Sequence, residues 1–155
     1  VVQRFLEENA NVEMCISATT REPRPGEVDG VDYFFMDKKE FVNKVDEDAF
    51  LEHQSVHGNF YGTLKSEIER IQESGKIPLM ILDTKGAKEL KNNGVNVRSI
   101  FIEPPSDIEL LQRLNVRGTV DLNSLALRFR NAKKEMEDAK DYDFRIVNDS
   151  IDSCV

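Results

Sequence analysis

Between Ser17 and Glu27 the chain reads Ser-Ala-Thr-Thr-Arg-Glu-Pro-Arg-Pro-Gly-Glu. Arg21 and Arg24 stand three residues apart on a loop stiffened by Pro23 and Pro25, so two planar guanidinium groups are offered from a restrained backbone. That arrangement suits a phosphate, whose anionic oxygens take paired N–H donors from each guanidinium. Ser17, Thr19 and Thr20 add hydroxyl donors close by. The plain alternative for this loop taken alone is two solvated arginines in a surface turn.

Further along come Tyr33 in Asp-Tyr-Phe, Glu52 in Phe-Leu-Glu, and Tyr61 and Thr63 in Gly-Asn-Phe-Tyr-Gly-Thr. Tyrosine hydroxyls donate to phosphate oxygens. A carboxylate such as Glu52 accepts from two adjacent N–H groups, and among the bases only guanine presents an N1–H/N2–H pair. A threonine hydroxyl can serve the guanine carbonyl or amino edge. Together these residues make a kit for one guanine monophosphate. Singly, Tyr33 and Tyr61 are also consistent with packing, and Glu52 with a solvent-facing strand position.

The elements that must position these groups alternate between helical and extended periodicity. Residues 1–8 read as the tail of a helix, and 12–17 as a short strand leading into a turn-rich loop over 18–31. A strand is expected over 33–36, then a helix to about Asp46 that Asp37 caps, with Glu40 at capping-box spacing. A strand over 50–57 turns at His57-Gly58-Asn59, and a helix over 64–74 stops at Gly75. Ile77–Leu82 is almost wholly apolar and ends in Asp83, as a parallel strand covered on both faces would.

A helix over 85–92 ends at Gly94, and a second apolar strand over 97–102 closes at Pro104-Pro105. Ser106 caps a helix to about Arg117, with Glu109 at capping-box spacing. Residues 118–123 break the pattern, a polar helix covers about 124–140, and 144–147 is a last short strand. The alternation predicts an α/β fold with a parallel sheet. The strand-rich middle, about 32–63, reads as an inserted lobe.

The chain has 155 residues, enough for one domain with a real core. Its 21 Lys+Arg against 29 Asp+Glu leave a net charge of -8, which argues against nucleic acid or an anionic membrane as partner. No apolar run approaches a transmembrane span, and residues 1–9 do not read as a signal peptide. Cys15 and Cys154 lack metal-ligand spacing and read as free thiols in a reducing compartment. The expected location is the cytoplasm.

In order and spacing, the run from Ser17 to Glu27, Gly30-Val-Asp-Tyr33, Phe50-Leu-Glu52, Gly58-Asn-Phe-Tyr-Gly-Thr63, Pro104-Pro105-Ser106 and Val147-Asn-Asp-Ser150 resemble the guanylate kinases. The resemblance spans almost the whole chain, residues 1–155. It implies a P-loop nucleoside monophosphate kinase-like α/β core with a parallel sheet, a small mixed β lobe for GMP at about 32–63, and a helical lid at about 113–128. It further implies that Ser17, Arg21, Arg24, Tyr33, Tyr61 and Thr63 hold GMP, with the two arginines and the tyrosines on its phosphate, and that Glu52 reads guanine. Asp83 follows as the surviving acid of the family's Asp-x-Asp after the third core strand. Arg113, Arg117 and Arg128 match lid positions that neutralise the transferring phosphoryl group, although Arg113 and Arg117 also read as one basic helix face. Asn148 falls where the family contacts the adenine of ATP, a position that also suits a helix cap. Mg²⁺ is expected to arrive with ATP, and GMP and ATP are the expected partners.

The chain departs from the family pattern in three places. No Gly-x-x-Gly-x-Gly-Lys-[Ser/Thr] loop, whose amides and lysine would cradle ATP phosphates, occurs in the sequence. The expectation is therefore a domain fragment that begins just downstream of that loop and lacks its first strand and last helix, with little catalysis on its own. Asp-x-Asp is reduced to Ile81-Leu82-Asp83, and the lid's acidic run keeps only Asp121 in Gly118–Asn123. The expected activity of the parent protein is phosphoryl transfer from MgATP to GMP. The alternative is a catalytically inactive guanylate kinase-like scaffold that binds proteins or phosphopeptides; the retained Glu52 and Thr63 favour the enzyme.

Overall fold

The computed structural model describes residues 1–56, 58–116 and 122–155. The turn at His57 and the segment 117–121, with Arg117, lie outside them. The chain divides into two compact units, one of Leu6–Val95 and one of Val1–Phe5 with Asn96–Val155. Helix α1 (Val2–Glu8) opens the chain.

Within the first unit, β1 (Val12–Met14) pairs in parallel with β6 (Ile77–Leu79) in the register Val12↔Ile77. The apolar run 77–82 was expected to be covered on both faces. Instead Ile77 is 58% and Ile81 62% exposed, because β6 has one hydrogen-bonded neighbour among the described residues. Pairing also stops at Leu79, whose carbonyl accepts from the Cys15 amide.

The rest of this unit is built on a four-stranded mixed sheet in the order β3 (Phe34–Phe35), β2 (Ala18–Thr19), β5 (Asn59–Leu64), β4 (Phe50–Val56). The sheet thus recruits Ala18 and Thr19 from the segment read as a loop. Helix α2 (Lys38–Asp46) covers one face. Its start is set by Asp37, whose carboxylate accepts from the Glu40 amide at 2.7 Å. Phe41 and Val45, one turn apart, point into a cluster with Ala18, Phe34, Met36, Phe50, Phe60 and Leu64. The Phe41 ring stacks on Phe50 with centroids 4.4 Å apart, and burying one such side chain contributes about 1.5–3 kcal/mol.

Helices α3 (Lys65–Glu73) and α4 (Thr84–Asn92) follow β5 and β6 respectively. Helix α3 ends at Gly75, whose φ of +79° is the left-handed conformation that closes a helix. Its Glu67 is buried and accepts from the Ile16 amide at 3.1 Å and from Arg70 at 2.9 Å, so α3 fixes the chain just before Ser17. Desolvation opposes ionisation of Glu67, but Arg70 and the Ile16 amide prevail and hold its carboxyl below the usual range. Burial pushes the neighbouring Cys15 thiol up to about 11, which leaves it protonated and unreactive at neutral pH.

The second unit pairs β7 (Ile100–Glu103) with β8 (Phe144–Val147) in parallel. The Ser99 amide and hydroxyl both reach Asp143 Oδ2 at 2.8 Å and lock the start of that ladder. Helix α5 (Asp107–Val116) begins at Ser106, whose hydroxyl accepts from the Glu109 amide. Helix α6 (Leu122–Asp138) starts earlier than the expected Ser124 and ends in a 3₁₀ turn. A four-residue helix, α7 (Ile151–Cys154), carries a capping box at Ser150.

Candidate substrate site

The four-stranded sheet has two unlike faces. Alternation along β5 sends Phe60, Gly62 and Leu64 toward α2 and leaves Tyr61 and Thr63 on the opposite face. Their spacing along the strand is roughly 7 Å. On β4, simple alternation would put Glu52 on the same face as Phe50, inside the aromatic core. A bulge between Phe50 and Glu52 prevents this. Phe50 lies opposite Leu64, yet Glu52 lies opposite Thr63, so the extra residue, Leu51, turns Glu52 to the other face. Gly62 is essential to that packing, because a Cβ there would lie 2.8 Å from both the Glu52 carbonyl and the Phe50 ring.

Glu52 and Thr63 are 4% and 1% exposed, and Thr63 Oγ1 donates to Glu52 Oε1 at 2.8 Å. Burial raises the Glu52 pKa above 4.5; the Thr63 hydrogen bonds oppose this, and the nearby charges of Glu89 and Asp83 add to it. Asp83 comes from the end of the apolar run after β6. It is the N-cap of α4, its Oδ1 accepting from the Gly86 amide at 2.9 Å. The structure therefore brings Thr63, Glu52 and Asp83 to one corner, with Asp83 also serving as a helix cap.

At the other corner stand Arg21, Tyr33 and Tyr61. The Tyr33 and Tyr61 rings meet edge to face with centroids 6.3 Å apart. The Arg21 guanidinium lies 5.4 Å over the Tyr33 ring and 5.8 Å over Phe35. It is also claimed by Glu27: Arg21 Nη2 donates to both carboxylate oxygens, at 2.8 and 2.9 Å, while Nη1 donates to the Glu22 carbonyl at 2.7 Å. Glu27 raises the Arg21 pKa most, with a smaller contribution from Tyr61, and Arg21 in turn holds Glu27 low. The same carboxylate accepts from the Arg24 amide at 2.7 Å, and the Arg24 side chain is exposed.

Glu27 is the functional neighbour that sequence reasoning passed over. A carboxylate just past two arginines and a Pro-Gly turn was its one available signal. The threonines of the loop are employed structurally. Thr19 Oγ1 donates to the Phe60 carbonyl at 3.1 Å and Thr20 Oγ1 accepts from the Phe60 amide at 2.9 Å, tying the loop to β5. The Ser17 carbonyl accepts from the Phe34 amide.

In the second unit, Arg113 Nε donates to Glu109 at 2.8 Å and its Nη2 donates to the Asn148 carbonyl at 3.0 Å. Both line a cleft of about 140 Å³ with Ile102, Pro104 and Leu110. Arg128 is exposed on α6. Among the described residues, no group of three or more His, Cys, Asp or Glu could hold a metal ion. No helix among them is long and apolar enough to cross a membrane.

The guanylate kinase family model matches residues 2–155. A guanylate kinase of Clostridium perfringens (strain 13 / Type A) is 43% identical over 155 residues, which are 100% of this chain and 72% of that protein. The guanylate kinase of Escherichia coli (strain K12) is 42% identical over 145 residues, covering 94% and 70%. The crystal structure of guanylate kinase from Anaplasma phagocytophilum superposes with a TM-score of 0.75 at 34% identity, over 97% of this chain and 73% of that one. With a family match along nearly its whole length and relatives that share its sequence and its fold, the chain belongs to the guanylate kinase family.

Proposed function

We propose that this chain binds GMP as the acceptor in a phosphoryl transfer from MgATP that yields GDP and ADP. The observation that carries the reading is the order Thr63, Glu52, Asp83 at one corner, the first two buried and Asp83 at its exposed edge. Along guanine's edge run a carbonyl acceptor, an N1–H donor and a two-proton amino group. A central carboxylate and a second carboxylate complement the two donors, and the Thr63 hydroxyl, which donates to Glu52 here, would turn its proton to the carbonyl.

Arg21, Arg24, Tyr33 and Tyr61 would hold the phosphate, at the far corner of the same sheet face, and Ser17 would contact GMP as well. Residues 32–63 supply most of this lobe. The acceptor oxygen of GMP is already anionic, so no general base is required. It bonds to the γ-phosphorus as the bond to the ADP oxygen breaks. MgATP supplies the phosphoryl group, with Mg²⁺ offsetting its charge. Within segment 113–128, Arg113 and Arg128, together with Arg117 outside the described residues, would stabilise the transferring group, and Asn148 would meet adenine.

Calorimetric titration of the folded chain with GMP, and with AMP as control, tests the reading without ATP. Saturable binding that favours GMP supports it. Absent binding overturns it in favour of a guanylate kinase-like scaffold that binds proteins or phosphopeptides, and equal binding of the two nucleotides overturns the guanine selectivity on which it rests.

A further inference from the structure

Gly86 lies in the first turn of α4, next to the base-reading corner. Its backbone is ordinary helix, and it is absent from the glycines that adopt positive φ among the described residues. Glycine is disfavoured against alanine in such a position, so conformation gives no reason for it. Space does. A Cβ at Gly86 would lie 3.3 Å from Glu52 Oε2, 3.6 Å from Asp83 Oδ1 and 3.6 Å from Leu82 Cβ. Two carboxylate oxygens from different elements thus converge where any other residue would place its first side-chain carbon.

The two Glu52 oxygens are not equivalent. Oε1 is the one that accepts from Thr63, whereas Oε2 faces Gly86. On the Asp83 side, Oδ1 is held in place by the Gly86 amide. A notch lined by two acceptors, one on each side, suits a planar amino group with two N–H donors. We propose that Gly86 is a specificity-determining residue, its missing side chain keeping the notch between Glu52 Oε2 and Asp83 Oδ1 open to the 2-amino group of guanine. This rests on the GMP reading above and adds that discrimination for the amino group is set by an absent side chain.

The test compares GMP with IMP, which lacks only the 2-amino group, in calorimetric titrations of the unsubstituted chain and of Gly86→Ala. The unsubstituted chain is expected to prefer GMP over IMP. Gly86→Ala is expected to weaken GMP roughly tenfold or more and IMP by less than about twofold, collapsing the preference. Alanine is the better helix former, so the variant is expected to melt no lower than the parent by circular dichroism. Unchanged GMP affinity, or equal loss for GMP and IMP, would overturn the assignment.

A second measurement needs no substitution. In ¹⁵N-labelled chain the Gly86 amide resonance should move on adding GMP and stay nearly still on adding IMP, and equal movement with both would also overturn it. If the unsubstituted chain fails to prefer GMP over AMP, the GMP reading itself falls. If that preference holds and Gly86→Ala leaves it intact, only the role of Gly86 falls.

Discussion

The two corners of the candidate site use opposite physics. At the base corner a carboxylate is nearly sealed off, tied to one hydroxyl and crowded by two other acids. Its reluctance to ionise makes a matching pair of N–H donors valuable and a mismatched base costly. At the phosphate corner Arg21 is half-buried and donates to both carboxylate oxygens of Glu27, whereas the exposed Arg24 meets Glu27 only through its backbone amide. Under the proposed reading this corner would meet the phosphate that every nucleoside monophosphate carries, and so would add affinity with little preference among bases. On that reading selectivity would reside at the buried base corner and general affinity at the phosphate corner.

Glu52→Gln offers the largest expected break in this contrast. It should weaken GMP by about 1.5–3 kcal/mol, as for loss of hydrogen bonds to a charged acceptor, while AMP binding stays nearly constant in parallel titrations. Comparable losses for both nucleotides would remove Glu52 from base reading. Gly62→Ala attacks the support beneath the base corner. The added Cβ meets the Phe50 ring and the Glu52 carbonyl at 2.8 Å, so stability should fall by about 1–3 kcal/mol in urea unfolding. An unchanged midpoint would mean that the bulged pairing relaxes freely.

Arg24→Ala probes the phosphate corner and should weaken GMP and AMP alike, by roughly tenfold. A loss confined to GMP would contradict the division of labour. The smallest effect is the pH dependence. Because the Glu52 pKa is raised from 4.5, chiefly by burial, its ionised, accepting form is complete only above that raised value and is lost as pH falls through it.

The GMP:AMP affinity ratio, in which the identical phosphates cancel, should accordingly begin to fall above pH 4.5. In Glu52→Gln it should stay flat. The same shift has a stability consequence of opposite slope. Between the unfolded and folded pKa values the folded chain binds the proton more tightly, so this group lowers stability as pH rises. Glu52→Gln should therefore raise the melting temperature at neutral pH even as it loses GMP.

Much of the local structure was legible because its causes are local. Asp37, Ser106 and Gly75 mark helix ends through backbone groups within a few residues. The candidate residues were legible as chemical types, since a phosphate calls for guanidinium groups and guanine for a carboxylate, and the proposed function rests on those types. Their arrangement was not. Alternation along Phe50-Leu51-Glu52 buries Glu52 among aromatic rings, and only pairing with β5 introduces the bulge that turns it to Thr63.

Likewise, nothing in Arg21's own neighbourhood announces that Glu27 will fold back across the Pro-Gly turn to claim it. Nor does Gly86, an unfavourable residue in a helix, reveal its reason before Glu52 and Asp83 converge on it. The sequence by itself determined which groups are available and, at Asp37, Ser106 and Gly75, where helices begin and end. Tertiary structure decided which face each group occupies, because the choice between two faces of a sheet depends on the register of a partner strand distant in the chain.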